Sequence, residues 1–178
     1  MSDHFTSSRI HFRPLVCDDV GSKYVAWLTN PEVVRFLEAR HVTTTIVSCR
    51  EYVAVANATN RQFLMGMFDI ETSRHIGNIK IGLINYKHMS GDLSLFIGEE
   101  NFRNKGYGAE AIARVTRWGF DQLKLEKIGA GCYDRNVASM VAFLKSGYVI
   151  EGYFQKQVHL DEGRIGVIRM GIISNDLK

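Results

Sequence analysis

The segment Phe102–Arg114, "FRNKGYGAEAIAR", joins a strand-like run to an amphipathic helix, and its reading decides the fold. Downstream, Glu110, Arg114, Arg117, Asp121 and Lys124 recur at steps of three and four, with Ile112, Val115 and Trp118 on the opposite side. That period predicts a helix from about Tyr107 to Leu123. Upstream, "DLSLFI" (Asp92–Ile97) predicts a strand. A helix N-terminus leaves unpaired N–H groups and a partial positive charge, which together suit an anion. Gly106 and Gly108 let the backbone approach a bulky group, and Arg103 and Lys105 offer charge-assisted contacts. By spacing alone, R-x-x-G-x-G is equally a structural turn. Neither G-x-x-x-x-G-K-[ST] nor G-x-G-x-x-G is present.

Working outward, "RIHFRPLV" reads as a first strand, and Asp18 and Asp19 offer an N-cap for a short helix in "YVAWLTN". Pro31 opens a second turn in "PEVVRFLEAR". Thr45 and Ser48 are caps for a helix in which Ile46, Tyr52, Val53 and Ala56 lie near helical spacing. "QFLMGMFDI", a turn at "ETSR" and "HIGNIKIGLINY" read as a hairpin, followed by a turn at "HMSGD". After the central helix, "KIGAGCY" is a strand. "NVASMVAFLKSGY" is a helix that Asn136 caps and Gly147 ends. "VIEGYFQKQVHL", a turn at "DEG" and "RIGVIRMGII" close the chain as two strands. Without repeats or linkers, residues 1–178 predict one domain of α/β (α+β) class.

A chain of 178 residues can bury a core without staples. Its 46% apolar and 23% charged residues are ordinary for a globular protein. No apolar run approaches the ~20 residues that span a bilayer. "MSDHFTSSRIHFRP" lacks the basic-then-apolar pattern of a signal peptide, so a cytoplasmic protein without a membrane partner is expected. Cys17, Cys49 and Cys132 form no C-x-x-C pair, and the histidines form no H-E-x-x-H. Neither a disulfide framework nor a metal site is therefore expected. A net charge of +3, scattered along the chain, predicts no nucleic-acid partner.

A second pattern bears on the quoted loop. Asn136, Ser139 and Phe143 fall at i, i+3 and i+7, a stripe that mixes a cap, a hydroxyl and an aromatic. "RNKGYGAEAI" resembles the R/Q-x-x-G-x-G/A signature of the GNAT superfamily of N-acetyltransferases. "DRNVASMVAFLKSGY" is similar to its second motif, N-x-x-S/A…K-x-G-F/Y, in the same order. The resemblance runs from "IHFRPL" to "GVIRMGII". It is closest to the branch that holds ribosomal-protein alanine and serine N-acetyltransferases, polyamine acetyltransferases and amino-sugar acetyltransferases.

The resemblance implies a mixed sheet of about six to seven strands flanked by about four helices. Two parallel strands, here "DLSLFI" and "KIGAGCY", would splay into a V. Acetyl-CoA would be the donor, its pyrophosphate on the N–H groups of Arg103, Asn104, Lys105, Gly106, Tyr107, Gly108 and Ala109. Leu95, Phe96 and Ile97 would pair with its pantetheine arm, and Asn136, Ser139 and Phe143 would face it from the other arm. Homodimers are common in such relatives.

Amine acetylation needs an unprotonated nucleophile. The resemblance implies Asp92 as the base, on the same side as Ser94 and Phe96; the residue equally serves to finish the "SGD" turn. Relatives carry a donating tyrosine where this chain has Phe143. Ser139 is the first replacement donor and Tyr148 the second, with a core aromatic as the other reading of Tyr148. Cys132 raises a ping-pong route, against which direct transfer in a ternary complex is expected. The acceptor would lie among "LTNPEVVRFLEARH", "INYKH" and "YFQKQVHL". An amino sugar or a protein N-terminal amine is favoured over a polyamine, because Glu32 and Glu38 are accompanied by Arg35, Arg40 and Lys87. Phe143 also keeps open a non-catalytic acyl-CoA-binding module.

Overall fold

A computed structural model describes residues 4–161 and 163–176. Its strands are Phe5–Thr6 (β1), Ile10–Pro14 (β2), Phe63–Asp69 (β3), His75–Asn85 (β4), Ser90–Ile97 (β5), Lys127–Tyr133 (β6), Val149–Leu160 (β7) and Gly163–Ile173 (β8). Its α-helices are Ser22–Thr29 (α1), Pro31–Val34 (α2), Ile46–Asn57 (α3), Tyr107–Leu123 (α4) and Val137–Lys145 (α5). All eight strands share one sheet, in the order β1-β2-β3-β4-β5-β6-β8-β7. Only β5 and β6 pair in parallel, and α4 is the crossover between them.

The strand count exceeds the expected six to seven because Phe5–Thr6 adds a two-residue strand beside β2. The fifth helix is the single turn that Pro31 opens, capped by the Asn30 side chain accepting from the Glu32 N–H at 2.9 Å. Asp18 and Asp19 do not cap α1. They lie in a 3₁₀ turn, where Asp19 holds the Arg13 guanidinium at 2.6 and 2.8 Å and accepts from the Val16 N–H at 2.9 Å. Helix α1 starts after Gly21 with no side-chain cap. Thr45 and Ser48 form a reciprocal box at the start of α3, each side-chain oxygen accepting the other's N–H at 3.1 and 2.9 Å. The first three residues of the opening stretch and Glu162 of the "DEG" turn lie outside the described residues.

Strand alternation sends neighbouring residues to opposite faces of the sheet. Ile79 and Ile81 of β4 join Ile112, Val115 and Trp118 of α4 in the larger core. On the other face Leu64 and Phe96 pack with Tyr24, Trp27 and Val53 of α1 and α3. Asn78, between Ile76 and Ile79 in the core and buried itself, donates to the Tyr24 hydroxyl at 2.9 Å. No helix among the described residues is long and apolar enough to cross a membrane.

Strands β5 and β6 stay paired only at Ser90↔Lys127, Gly91↔Ile128 and Asp92↔Gly129. Beyond that point β5 continues against β4 as far as Ile97, and β6 continues against β8 as far as Tyr133. Each strand keeps its outer partner while the inner edges part, so the sheet opens without breaking.

Helix α4 lies close over the joint. A Cβ at Gly119 would come within 2.8 Å of Ile81 Cδ1 and 2.9 Å of Ile128 Cδ1. Gly119→Val is therefore expected to overpack this contact and cost about 1–3 kcal/mol. A lower urea midpoint with unchanged m-value checks it, and an unchanged midpoint would mean that α4 is seated less closely than the structure shows.

Candidate active site

Just past the end of β5 at Ile97, Trp27 fills the space that a side chain at Gly98 would occupy; a Cβ there would lie 2.1 Å from that indole. The chain then makes one 3₁₀ turn, Glu100–Phe102, and enters the loop. Asn104 takes φ +58° and Gly106 φ +83°, left-handed conformations that glycine adopts freely and asparagine tolerates. The Arg103 N–H is used within the 3₁₀ turn, on the Glu100 carbonyl at 3.0 Å. From Asn104 to Ala109, six consecutive N–H groups have no acceptor among the described residues. The next one, at Glu110, bonds the Gly106 carbonyl at 3.0 Å. A Cβ at Gly108 would find open space, meeting only Leu95 Cδ1 at 3.9 Å.

The Arg103 side chain turns back onto the protein, with Glu32 Oε2 3.9 Å from its Nη1. Its guanidinium donates to the carbonyls of Ile97 and Gly98 at 3.1 and 2.7 Å, tying the loop to the end of β5. Arg9, from the segment before β2, has a similar task. It meets Glu110 in a paired contact at 2.7 Å and donates to the Lys105 carbonyl at 3.1 Å. Its guanidinium also lies 4.1 Å from the Tyr107 ring centre. The Tyr107 hydroxyl donates to buried Asp69 at 2.8 Å, and Asp69 also accepts from Thr72. Burial would raise the carboxyls of Asp69 and Glu110, but these hydrogen bonds hold both below the ordinary carboxyl range. Nothing in the sequence pointed to Arg9, Asp69 or Glu110 as partners of the loop.

A cavity of about 750 Å³ opens from the splay. Leu93, Ser94, Leu95 and Phe96 of β5 form one wall, and Gly131, Cys132 and Tyr133 of β6 form the other. Asn136, Ser139 and Phe143, the predicted stripe, also line it. The Asn136 side-chain oxygen caps α5 by accepting the Ser139 N–H at 3.2 Å. Phe143 is buried and meets Tyr148 edge-on at 5.0 Å. Burial pushes the Cys132 thiol up, away from the thiolate that a ping-pong route requires.

Two predicted catalytic residues lie outside that wall. Asp92 occupies the last paired position of β5, and both its oxygens meet Arg169 Nη2 of β8, at 3.0 and 3.3 Å. The pair rests over Gly129, where a Cβ would come within 2.3 Å of Asp92 Oδ1. Tyr148 is in the core and shares a 2.8 Å hydrogen bond with Thr116 of α4; burial pushes its phenol strongly upward. It packs as a core aromatic behind Phe143 and does not itself line the cavity.

Of the stretches expected to hold the acceptor, "LTNPEVVRFLEARH" contributes Leu28, Phe36, Leu37, Glu38 and Ala39 to the cavity lining, and "YFQKQVHL" contributes Val158. The turn "INYKH" does not line it: the Tyr86 hydroxyl is bonded to the Asn60 carbonyl at 2.6 Å. Tyr24, Tyr52 and Lys80 were missed. The alternation of β4 puts Lys80 on the same face as Asn78, but no signal in the sequence said that this face meets α1 and α3.

Residues 9–149 match the family model described as acetyltransferase (GNAT) domain. N-acetyltransferase YoaA of Bacillus subtilis, an uncharacterized protein, is 28% identical over 146 residues, covering 81% of this chain and 82% of the relative. Two solved structures share the fold. One is a GNAT-family acetyltransferase from Bacillus anthracis, with a TM-score of 0.83 at 20% identity, covering 97% of this chain and 99% of that one. The other is spermidine N-acetyltransferase from Vibrio cholerae, solved with CoA and spermine, with a TM-score of 0.86 at 20% identity, covering 96% and 98%.

The loop's charge network sets a pH dependence. Carboxyls whose folded pKa is depressed contribute stability that is present above their ordinary range and lost as pH falls through the folded value. Urea midpoints are expected to fall from pH 6 towards pH 3. Glu110→Gln should flatten part of that decline and cost about 1 kcal/mol at pH 7, Arg9 being half in solvent. Parallel pH profiles for variant and parent would remove Glu110 from the account.

Proposed function

The chain belongs to the GNAT family of acetyltransferase domains, and on that premise we propose that it moves an acetyl group from acetyl-CoA to a primary amine by direct transfer in a ternary complex. The observation that carries the reading is the run of six unpartnered N–H groups, Asn104 to Ala109, beside an opened parallel pair. A pyrophosphate fits that run, because its oxygens supply the acceptors that the protein withholds. The inner edge of residues 93–97, without a strand partner, fits the amides of a pantetheine arm. Acetyl-CoA supplies the thioester carbonyl. The protein holds the two reactants in one apolar chamber, a positioning effect that can lower a barrier by several kcal/mol. Within the family, the order and spacing of the two motifs support a place beside the ribosomal-protein, polyamine and amino-sugar acetyltransferases.

Ser139, whose residue lines the cavity on α5, is the proposed donor to the departing thiolate. A thiol pKa of about 8.5 makes this a modest requirement. As base, Asp92 must act from the apex and share its carboxylate with Arg169. The second reading, a non-catalytic acyl-CoA-binding module, is favoured by one observation: Phe143 is buried and cannot donate where relatives place a tyrosine.

Acetyl-CoA at 100 times its dissociation constant is expected to add about 2.7 kcal/mol, a rise in melting temperature of roughly 5–11 °C for a chain of this length. Gly108→Trp, filling the open space beside the loop, should abolish the rise. A flat titration to millimolar ligand would overturn the reading. Thiol release with pools of primary amines then separates an enzyme from a binding module.

Asp92→Asn separates two roles. A base gives a fall of about 10²–10⁴ in kcat with the acetyl-CoA-induced melting shift intact. A residue that only pins the apex gives a lower melting temperature with kcat within a few-fold of the parent.

A further inference from the structure

Among the described residues, the cavity is lined by one carboxylate, Glu38, and one ammonium, Lys80; the rest of its wall is aliphatic, aromatic or uncharged polar. Glu38 opens the 3₁₀ turn Glu38–His41 between α2 and α3. Its carboxylate accepts a hydrogen bond from the Tyr133 hydroxyl at the end of β6. Burial, and then this bond, push the Tyr133 phenol up, so it stays a donor. Phe36 stands edge-on to the Tyr133 ring at 6.3 Å.

The nearby cation, Arg40, makes no direct ion pair with Glu38 among the described residues. Arg40 lies 5.0 Å from the Tyr133 ring centre, but its terminal N–H groups donate to the carbonyls of Arg35 and His159 at 2.8 and 2.9 Å. No ion pair to Glu38 forms among the described residues. Lys80 keeps its charge and donates to the Tyr52 hydroxyl at 3.0 Å. The chamber therefore presents one carboxylate, fixed by a phenol and in no direct ion pair among the described residues, with the Lys80 ammonium elsewhere on its wall.

From this we infer that the acceptor is a monoamine with an apolar body, and that the Glu38–Tyr133 pair receives its amino group as the ammonium, whose proton leaves to a base before the free amine attacks the thioester. The inference rests on the acetyl-transfer reading above and narrows its substrate class. A polyamine would bring its second and third ammonium groups against apolar wall or against Lys80, and burying an unpaired charge is costly. A monoamine with an aromatic or branched body loses nothing there and gains contact with Leu28, Phe36 and Val158. Glu38 is thus a specificity-determining residue. Tyr133 is a positioning residue that holds its carboxylate in the chamber.

The test is calorimetric titration into the full chain saturated with CoA, using 2-phenylethylamine, its uncharged analogue 2-phenylethanol, and spermidine. 2-Phenylethylamine is expected to bind at least ten-fold more tightly than either of the others. Glu38→Gln should remove that preference over 2-phenylethanol while leaving CoA affinity and the melting temperature within error. Tyr133→Phe should weaken 2-phenylethylamine several-fold and leave 2-phenylethanol unchanged. Spermidine binding as tightly as 2-phenylethylamine, or an amine preference that survives Glu38→Gln, would overturn the inference. Failure of CoA itself to bind is a separate result, and it overturns the acetyl-transfer reading first.

Discussion

Three residue pairs hold β5 to β6, and the site depends on their being only three. A backbone edge without a strand partner is ordinarily a liability, since its N–H and C=O groups must find partners or remain in water. Here the outer ladders, to β4 and β8, continue past the parting and carry the strands in two directions. The gap is a property of the sheet's twist and pairing, which a loop rearrangement could not produce as rigidly. The Asp92–Arg169 pair marks the point of separation, and α5 with buried Phe143 lies along the gap beyond it.

The loop that follows β5 inherits this rigidity through side chains. Arg103 ties it back to the strand end, Arg9 ties its Lys105 carbonyl to Glu110, and Tyr107 ties it to Asp69. The basic residues nearest the turn thus serve its shape, and the backbone amides remain for a ligand. A helix terminus with its donors fixed before binding avoids much of the ordering cost that a mobile loop would incur. The left-handed residues Asn104 and Gly106 give the turn its backbone shape.

How far all this was legible in the sequence varied with the range of the interactions. Helix α4 and strand β6 have the expected bounds, since amphipathic period and flanking breakers are local signals. The Asn136 cap and the Thr45–Ser48 box were legible for the same reason. Asp19 misled because an N-cap and an ion-pair partner look alike in sequence, and its carboxylate turns back to Arg13, six residues earlier on β2. Asp92 was named as base through the family resemblance, and Tyr148 as the second donor candidate. Arg169 and Thr116, which lie 77 and 32 residues away from them, are the partners that settle where these side chains point. Glu38 read as one of several surface charges, and only its closure onto Tyr133, 95 residues away, marks it out.

Gly129 gives the apex an evolutionary consequence. The Asp92 carboxylate and the Arg169 guanidinium occupy the volume that a side chain there would take, so a larger residue at position 129 has to displace one or both of them. The three positions lie on three different strands, far apart in the gene, yet a change at one alters what the other two can accommodate.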